Sequence, residues 1–273
     1  MLAAFATLLV ELHLTGCFWG DCSLSNVLYL FDAAAIQTLM VDAETAKMYA
    51  ELSAGQRQED LEIMKVNVAG GMADIAASLG QEVEYEDLTL GEAIEERYHE
   101  LWGHVTAEFL ISADERWRIT ERVRDLNDLG FNVEQIDLEA VDNGDRLRIE
   151  TVVAGRSYHT GRLRDLTGVE ASEGQATQIL TDLHHFTADA APSPQGKALG
   201  AIRWRVEVFE PMLARMRTEV PDANPVQAFS DYLHFRYLAS RDAGYDIDND
   251  TALAAWLDAG RPGYPIEEGF VIN

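Results

Sequence analysis

Cationic side chains, thiols and long apolar runs are what this chain has least of. Its 273 residues include 21 basic and 47 acidic side chains, a formal net charge of −26. A field of that sign repels nucleic acid and anionic membrane surfaces, which excludes both as expected partners. Only Lys47, Lys65 and Lys197 are lysines, so a nucleotide would be repelled unless Mg²⁺ and local arginines offset the field. Cys17 and Cys22 are the only cysteines. Two thiols cannot build a disulfide framework and lack the partners of a zinc site, so the reading is reduced cysteines in a cytoplasmic protein. No apolar run reaches the roughly 18 residues of a membrane span. Leu14-Thr15-Gly16-Cys17 has the shape of a lipoprotein cleavage box, but no basic segment precedes it, and Glu11 and His13 interrupt the apolar run. Leu2, Phe5, Leu8, Leu9 and Leu12 recur instead at helical spacing, which ends at Gly16. The rest is ordinary for a globular chain of one large or two smaller domains, at 47% hydrophobic and 25% charged.

Against that background one stretch stands out, Trp19 to Glu44. Val27–Phe31 and Ile36–Val41 read as strands joined by a turn at Asp32–Ala35. Asp21 and Asn26 precede the first strand and Asp42 follows the second. If the strands pair as a hairpin, its outer ends lie side by side and these three residues surround one small space. Two carboxylates and an amide offer oxygen ligands suited to Mg²⁺, and an acid able to take a proton from a hydroxyl. The plainer alternative is a polar hairpin mouth in which Asn26 and Asp42 act as turn caps.

Asp21-x-x-x-x-Asn26, a strand pair and Asp42-Ala-Glu44 resemble the catalytic loop and metal-binding aspartate of protein-kinase-like phosphotransferases, nearest the aminoglycoside phosphotransferase and lipopolysaccharide kinase branch. The resemblance implies that Asp21 is the catalytic base and that Asn26 and Asp42 hold Mg²⁺ on the phosphates of ATP. The family usually has His or Tyr two residues before the loop Asp; here the residue is Trp19. The family also has a strand-rich small lobe, with a Gly-rich phosphate loop and a lysine. No such loop precedes Asp21 and no lysine precedes Lys47, so the expectation is a fragment, an abbreviated product or a chain dependent on another polypeptide.

After a polar connector at Lys47–Gly55, residues 56–79 read as a helix with Leu61, Met64, Val68, Met72, Ile75 and Leu79 as its apolar stripe, Gly70-Gly71 marking close packing or a kink. Asp60 on this helix has two readings: the resemblance implies a hydrogen bond to the catalytic-loop backbone, while the residue alone suggests a complement to a helix N-terminus. Leu90–Phe109 is helical through Ile94, Tyr98, Leu101 and Val105. His99 and His104 on it are five apart, a poor spacing for joint metal ligation. Ser112–Glu115 is a capping box for a helix to about Leu129 faced by Trp117, Ile119, Val123 and Leu126, with Gly130 as its stop.

The period then changes to two. Residues 133–153 form a β-hairpin around Asn143-Gly144, with Glu134, Asp137 and Glu139 facing Arg146 and Arg148. Ser172–Gln175 is a second capping box, for a helix through Phe186. After a 192–196 linker, a long helix to about Met216 is expected to kink at Pro211. Asn224-Pro225 starts a helix through Ser240 with Phe229, Leu233 and Tyr237 on its core face. Asp246–Asp250 resembles the start of a calcium loop but has Thr251 and Leu257 where Gly and Glu are required; a helix cap suffices.

From about Tyr98 the chain also resembles an uncharacterised domain of bacterial, largely actinobacterial, proteins, through residues 122–131, 166–170 and 204–211. In that family the domain follows a kinase-like region often reading Phe-Trp-Gly-Asp-Cys-Ser-Leu-Ser-Asn, which makes Trp19 a family trait.

The expected architecture is therefore α+β and mostly helical. A partial kinase-like large lobe occupies 1–95 with a short catalytic hairpin. A helical domain with the 133–153 hairpin occupies 96–260, and 261–273 is a tail. The expected function is Mg–ATP-dependent phosphotransfer to a hydroxyl acceptor. The alternative is a non-catalytic, pseudokinase-like interaction module that binds a protein partner or itself.

Overall fold

Helix α1 (Leu2–Leu14) forms because its apolar residues recur on one face, burying Phe5, Leu8, Leu9 and Val10. It ends where Gly16 adopts φ 79°. Any side chain there would run into the Tyr49 carbonyl, and the Tyr49 amide in turn donates to Gly16 O at 2.8 Å. This close approach sets strand β1 (Cys17–Phe18) against β4 (Lys47–Met48). Between them lies the hairpin of β2 (Val27–Asp32) and β3 (Ala35–Met40).

The computed structural model describes every residue except 34, 113–114, 116, 142–145, 188–193 and 264–273. The Asn143-Gly144 turn, the middle of the Ser112–Glu115 box, the start of the 192–196 linker and most of the tail thus lie outside the described residues. Two compact units result, one of Met1–Leu30 with Ile36–Tyr158, the other of Phe31–Ala35 with His159–Asn273. The fold is α+β and mostly helical, as the sequence indicates.

In the first unit α2 (Ala54–Leu79) starts at a reciprocal Ser53–Gln56 capping box and stops at Gly80 in the left-handed region. Leu61, Met64, Val68 and Met72 are buried, whereas Ile75 and Leu79 face solvent. Gly70-Gly71 does not interrupt the helix; Leu24 packs beside Gly71, where an added methyl would meet it at an ordinary van der Waals distance. After the single turn α3 (Tyr85–Leu88), α4 (Leu90–Thr106) buries Ile94, Tyr98 and Val105 in one core with α1 and α2. The division expected between residues 95 and 96 falls inside this helix.

Ala107 leaves helical geometry, so Phe109 is not the end of α4 but the start of strand β5 (Phe109–Ser112). Together with β6 (Phe131–Val141) and β7 (Arg146–Arg156) it makes a three-stranded antiparallel sheet in the order β5-β7-β6. A four-residue strand has too little alternation to be read without its partner. Glu139 faces Arg148 at 2.7 Å across the hairpin, as its register predicts. Between β5 and β6, α5 (Trp117–Asp128) buries Leu126 and Arg122 and leaves Trp117 exposed.

The second unit is helical. α6 (Tyr158–Thr167), which no sequence signal announced, has its first amides held by Glu173: His159 N and Thr160 N donate to the carboxylate at 2.9 and 3.0 Å. α7 (Glu173–Phe186) starts at the expected Ser172–Gln175 box. A second cap comes from far away in sequence. Buried Asp32 accepts hydrogen bonds from Ser172 Oγ, Gly174 N (2.7 Å) and Gln175 N (2.9 Å).

α8 (Pro194–Trp204) continues through a π-helical turn, Arg205–Phe209, into α9 (Glu210–Glu219). Pro211 has no amide hydrogen and so is accommodated by widening the preceding turn. α10 (Pro225–Ala243) is capped by Asn224 and α11 (Asn249–Asp258) by Asp248. Trp204, Phe209, Phe229, Tyr232 and Trp256 form a chain of ring contacts through the core, whereas Tyr237 faces solvent. Among the described residues no helix is long and apolar enough to cross a membrane.

Candidate functional site

The loop from Trp19 to Asn26 lies along one face of α2. Asp60, Asn67 and Gly71 recur on that face at intervals of seven and four, close to whole turns of a helix. Asp60 Oδ2 accepts the Trp19 amide and Oδ1 the Gly20 amide, both at 2.7 Å. Cys22 Sγ donates to Oδ1 at 3.2 Å. Asn67 Nδ2 donates to Asp21 Oδ1 at 3.0 Å, and Leu24 rests over Gly71. Of the two readings open for Asp60, the contact with the loop backbone is the one the fold adopts. Six residues into α2, it lies beyond the first turn that a helix dipole would reward.

Asp60 is fully buried, and His13 Nε2 approaches its Oδ2 at 3.2 Å. The other ring nitrogen of His13 bonds the Tyr98 hydroxyl at 2.7 Å. Burial pushes the Asp60 carboxyl up, but the hydrogen bonds from His13, Trp19, Gly20 and Cys22 outweigh it and hold the group below the usual carboxylate range. Burial, with Asp60 nearby, pushes the Cys17 and Cys22 thiols up, which disfavours the thiolate; both cysteines are free and buried.

Asp21 and Asn26 are brought together. Asn26 Nδ2 donates to Asp21 Oδ2 at 3.0 Å and to the Asp21 carbonyl at 3.2 Å. With Asn67 on the other oxygen, each oxygen of the Asp21 carboxylate accepts one side-chain amide, which fixes its plane. Asp42 is placed by backbone contacts: Val41 N donates to Asn26 O at 3.0 Å, so the Asp42 backbone follows directly on the residue opposite Asn26, at the open end of the hairpin. The Asp42 carbonyl accepts Trp19 Nε1 at 3.0 Å, and Thr45 Oγ1 donates to the Trp19 carbonyl at 2.8 Å. Trp19 therefore ties the loop to the Asp42 segment, its ring fully buried and edge-on to Phe5.

Asn26 and Asp42 are oxygen donors, the type a hard cation takes. Asn26 spends its amide nitrogen on Asp21, which leaves the carboxamide oxygen as a ligand, and the Asp42 carboxylate is exposed, with Oδ1 accepting only the Glu44 amide. A hard cation that keeps several waters and binds phosphates needs no larger protein cage. Among the described residues no group of three or more His, Cys, Asp or Glu side chains could hold a metal by itself.

Sequence reasoning passed over Asn67, His13 and Tyr98. Asn67 carried a signal, a polar residue seven positions after Asp60 on the face next to the apolar stripe. His13 and Tyr98 carried none, because a polar pair on otherwise apolar helix faces gives no sign of which neighbour it meets.

Residues 100–260 match the model of a family described as Domain of unknown function (DUF4032). No curated protein and no solved structure matches the chain.

Proposed function

The chain belongs to the DUF4032 family, and we propose that its first unit carries a kinase-like site that transfers a phosphoryl group from Mg–ATP to a hydroxyl acceptor. One observation carries this reading: α2 holds the loop backbone through Asp60 while Asn26 and Asn67 orient the Asp21 carboxylate. A loop anchored in that way presents an oriented base with no reorganisation needed at the moment of reaction.

In this reading Asp21 would accept the proton of the acceptor hydroxyl as the hydroxyl oxygen bonds to the γ-phosphorus of ATP and the bond from that phosphorus to the bridging oxygen breaks, releasing ADP. Asn26 and Asp42 are the Mg²⁺ ligands. ATP supplies the phosphoryl group and Mg²⁺ neutralises charge on the phosphates. Asp60 and Asn67 do not touch the reacting atoms; they hold those that do. The Asp42-Ala-Glu44 ending favours a small-molecule acceptor, and the two reduced cysteines favour the cytoplasm. This reading assigns no nucleotide-clamping residue within 1–273.

The test is calorimetric titration of Mg–ATP into this chain and into a version joined to polypeptide encoded in frame upstream. Binding by the longer protein, abolished by Asp42→Ala, is the expected result. Absence of binding by both proteins would instead favour the non-catalytic interaction module.

A further inference from the structure

The hairpin of β2 and β3 carries apolar side chains on both faces, with Gln37 a polar strand residue among those of the outer one, which a two-stranded sheet at a protein surface has no reason to do. Its inner face follows the rule: Val27 and Thr38 are buried, and Tyr29 and Met40 pack against the core. The bond from Val41 N to Asn26 O and the separation of the strands by only residues 33 and 34 set Leu28 opposite Leu39. Leu30 and Val41 lie on the same face by the two-residue period. That outer face should be polar if water were its final neighbour. Instead Leu28, Leu30, Leu39 and Val41 are 46, 40, 43 and 58% exposed.

Exposed apolar side chains on a short sheet, here with no third strand paired to it among the described residues, are the usual mark of a docking surface. The charge around the face selects the occupant. Asp42 and Glu44 stand exposed at its open end with no ion pair among the described residues, and the chain as a whole carries −26. That charge opposes a second copy of the same chain and attracts a cationic partner.

The geometry points to the outer face of the β2–β3 hairpin as a docking site for a basic polypeptide that brings its own apolar surface. The exposed leucines do not depend on the phosphotransfer reading; of the charges beside them, Asp42 is the residue the two readings share, and Glu44 belongs to this one alone.

The test uses the full chain and two labelled probe peptides of identical leucine pattern, one with lysine and one with glutamate at the polar positions. Fluorescence anisotropy is expected to show saturable binding of the Leu/Lys peptide, weakened at least about tenfold by Leu28→Ser with Leu39→Ser. The Leu/Glu peptide is expected not to bind. A control pair in the other unit, Leu199→Ser with Ile202→Ser, also exposed, should leave binding unchanged. Hydrogen exchange supplies the second readout, with protection of residues 27–41 on adding the Leu/Lys peptide to the unsubstituted chain. The proposal is overturned if the Leu28/Leu39 variant binds as tightly as the parent, if the Leu/Glu peptide binds equally, or if protection falls elsewhere. It is also overturned if sedimentation shows a dimer of the parent that the variant abolishes, for then a second copy covers the face.

Discussion

Asp60 and Trp19, forty-one positions apart, are joined by a 2.7 Å hydrogen bond from the backbone amide to the carboxylate, and Gly20 repeats the contact on the other oxygen. A helix side chain thus satisfies the main-chain donors of Trp19 and Gly20, two residues that belong to no helix or strand. Buried amides without an acceptor are costly, so this bond decides whether the loop has one conformation or several.

Asp60→Ala is therefore expected to lower unfolding free energy by about 3 kcal/mol, since buried donors lose their acceptor. Asp60→Asn should recover little, because its amide group must face another donor. Urea denaturation checks both.

The same carboxylate makes stability depend on pH. Asp60 and, in the other unit, Glu173 are held below the usual range: burial pushes each up, and hydrogen bonds from His13, Trp19, Gly20 and Cys22, or from His159 and Thr160, prevail. The unfolded chain then binds more protons than the native one, so their contribution is full above the unfolded carboxylate value of about 4 and is lost as pH falls through the lower folded values. Urea midpoints should drop steeply on acidification below that value, and Asp60→Asn should flatten the slope.

Asp32 is expected to contribute about 2 kcal/mol as the cap of α7, at the high end for such residues because it is buried with three donors. Asp32→Ala should lower the melting temperature. Gly174→Ala should be at least as damaging, because the added methyl would meet the Asp32 carbonyl.

Arg122 reaches from α5 to the end of α4, where its guanidinium donates to the carbonyls of His104 and Val105, the latter at 3.3 Å. Arg122→Ala should cost about 1–3 kcal/mol by leaving those carbonyls without a donor. Arg122→Lys, unable to reach both with a planar fork, should restore only part of it. Thermal melts distinguish the two.

In a preparation active in phosphotransfer, Asp21→Asn should lower kcat by about 10²–10⁴, the range for losing a general base. Asn67→Ala should lower kcat by about tenfold with the nucleotide KM unchanged, because it releases one oxygen of the base and touches no phosphate ligand. A rise in KM with kcat intact would remove Asn67 from that role.

What could be read from the chain were features written in adjacent residues. Helical stripes, the Ser172 and Asn224 caps, a cap within Asp246–Asp250, and the 133–153 hairpin each depend on a few neighbours in sequence, and the fold class followed from them. The candidate residues Asp21, Asn26 and Asp42 were legible for the same reason, since a loop and a hairpin mouth are local. Helix α6 and strand β5 were missed because each depends on a distant partner, Glu173 for one and β7 for the other.

The sequence by itself determined the segments whose pattern is local, α6 and β5 not among them, and that a hairpin carries two carboxylates and an amide near its mouth. Tertiary structure alone decided which distant groups those residues meet: Asp60 and Asn67 for the loop, His13 and Tyr98 behind Asp60, and Asp32 at the start of α7. The reason is physical. A local pattern fixes backbone geometry through interactions over a few residues, whereas a buried polar group is satisfied by whichever partner packing brings within about 3 Å, and no periodicity in the chain records that choice.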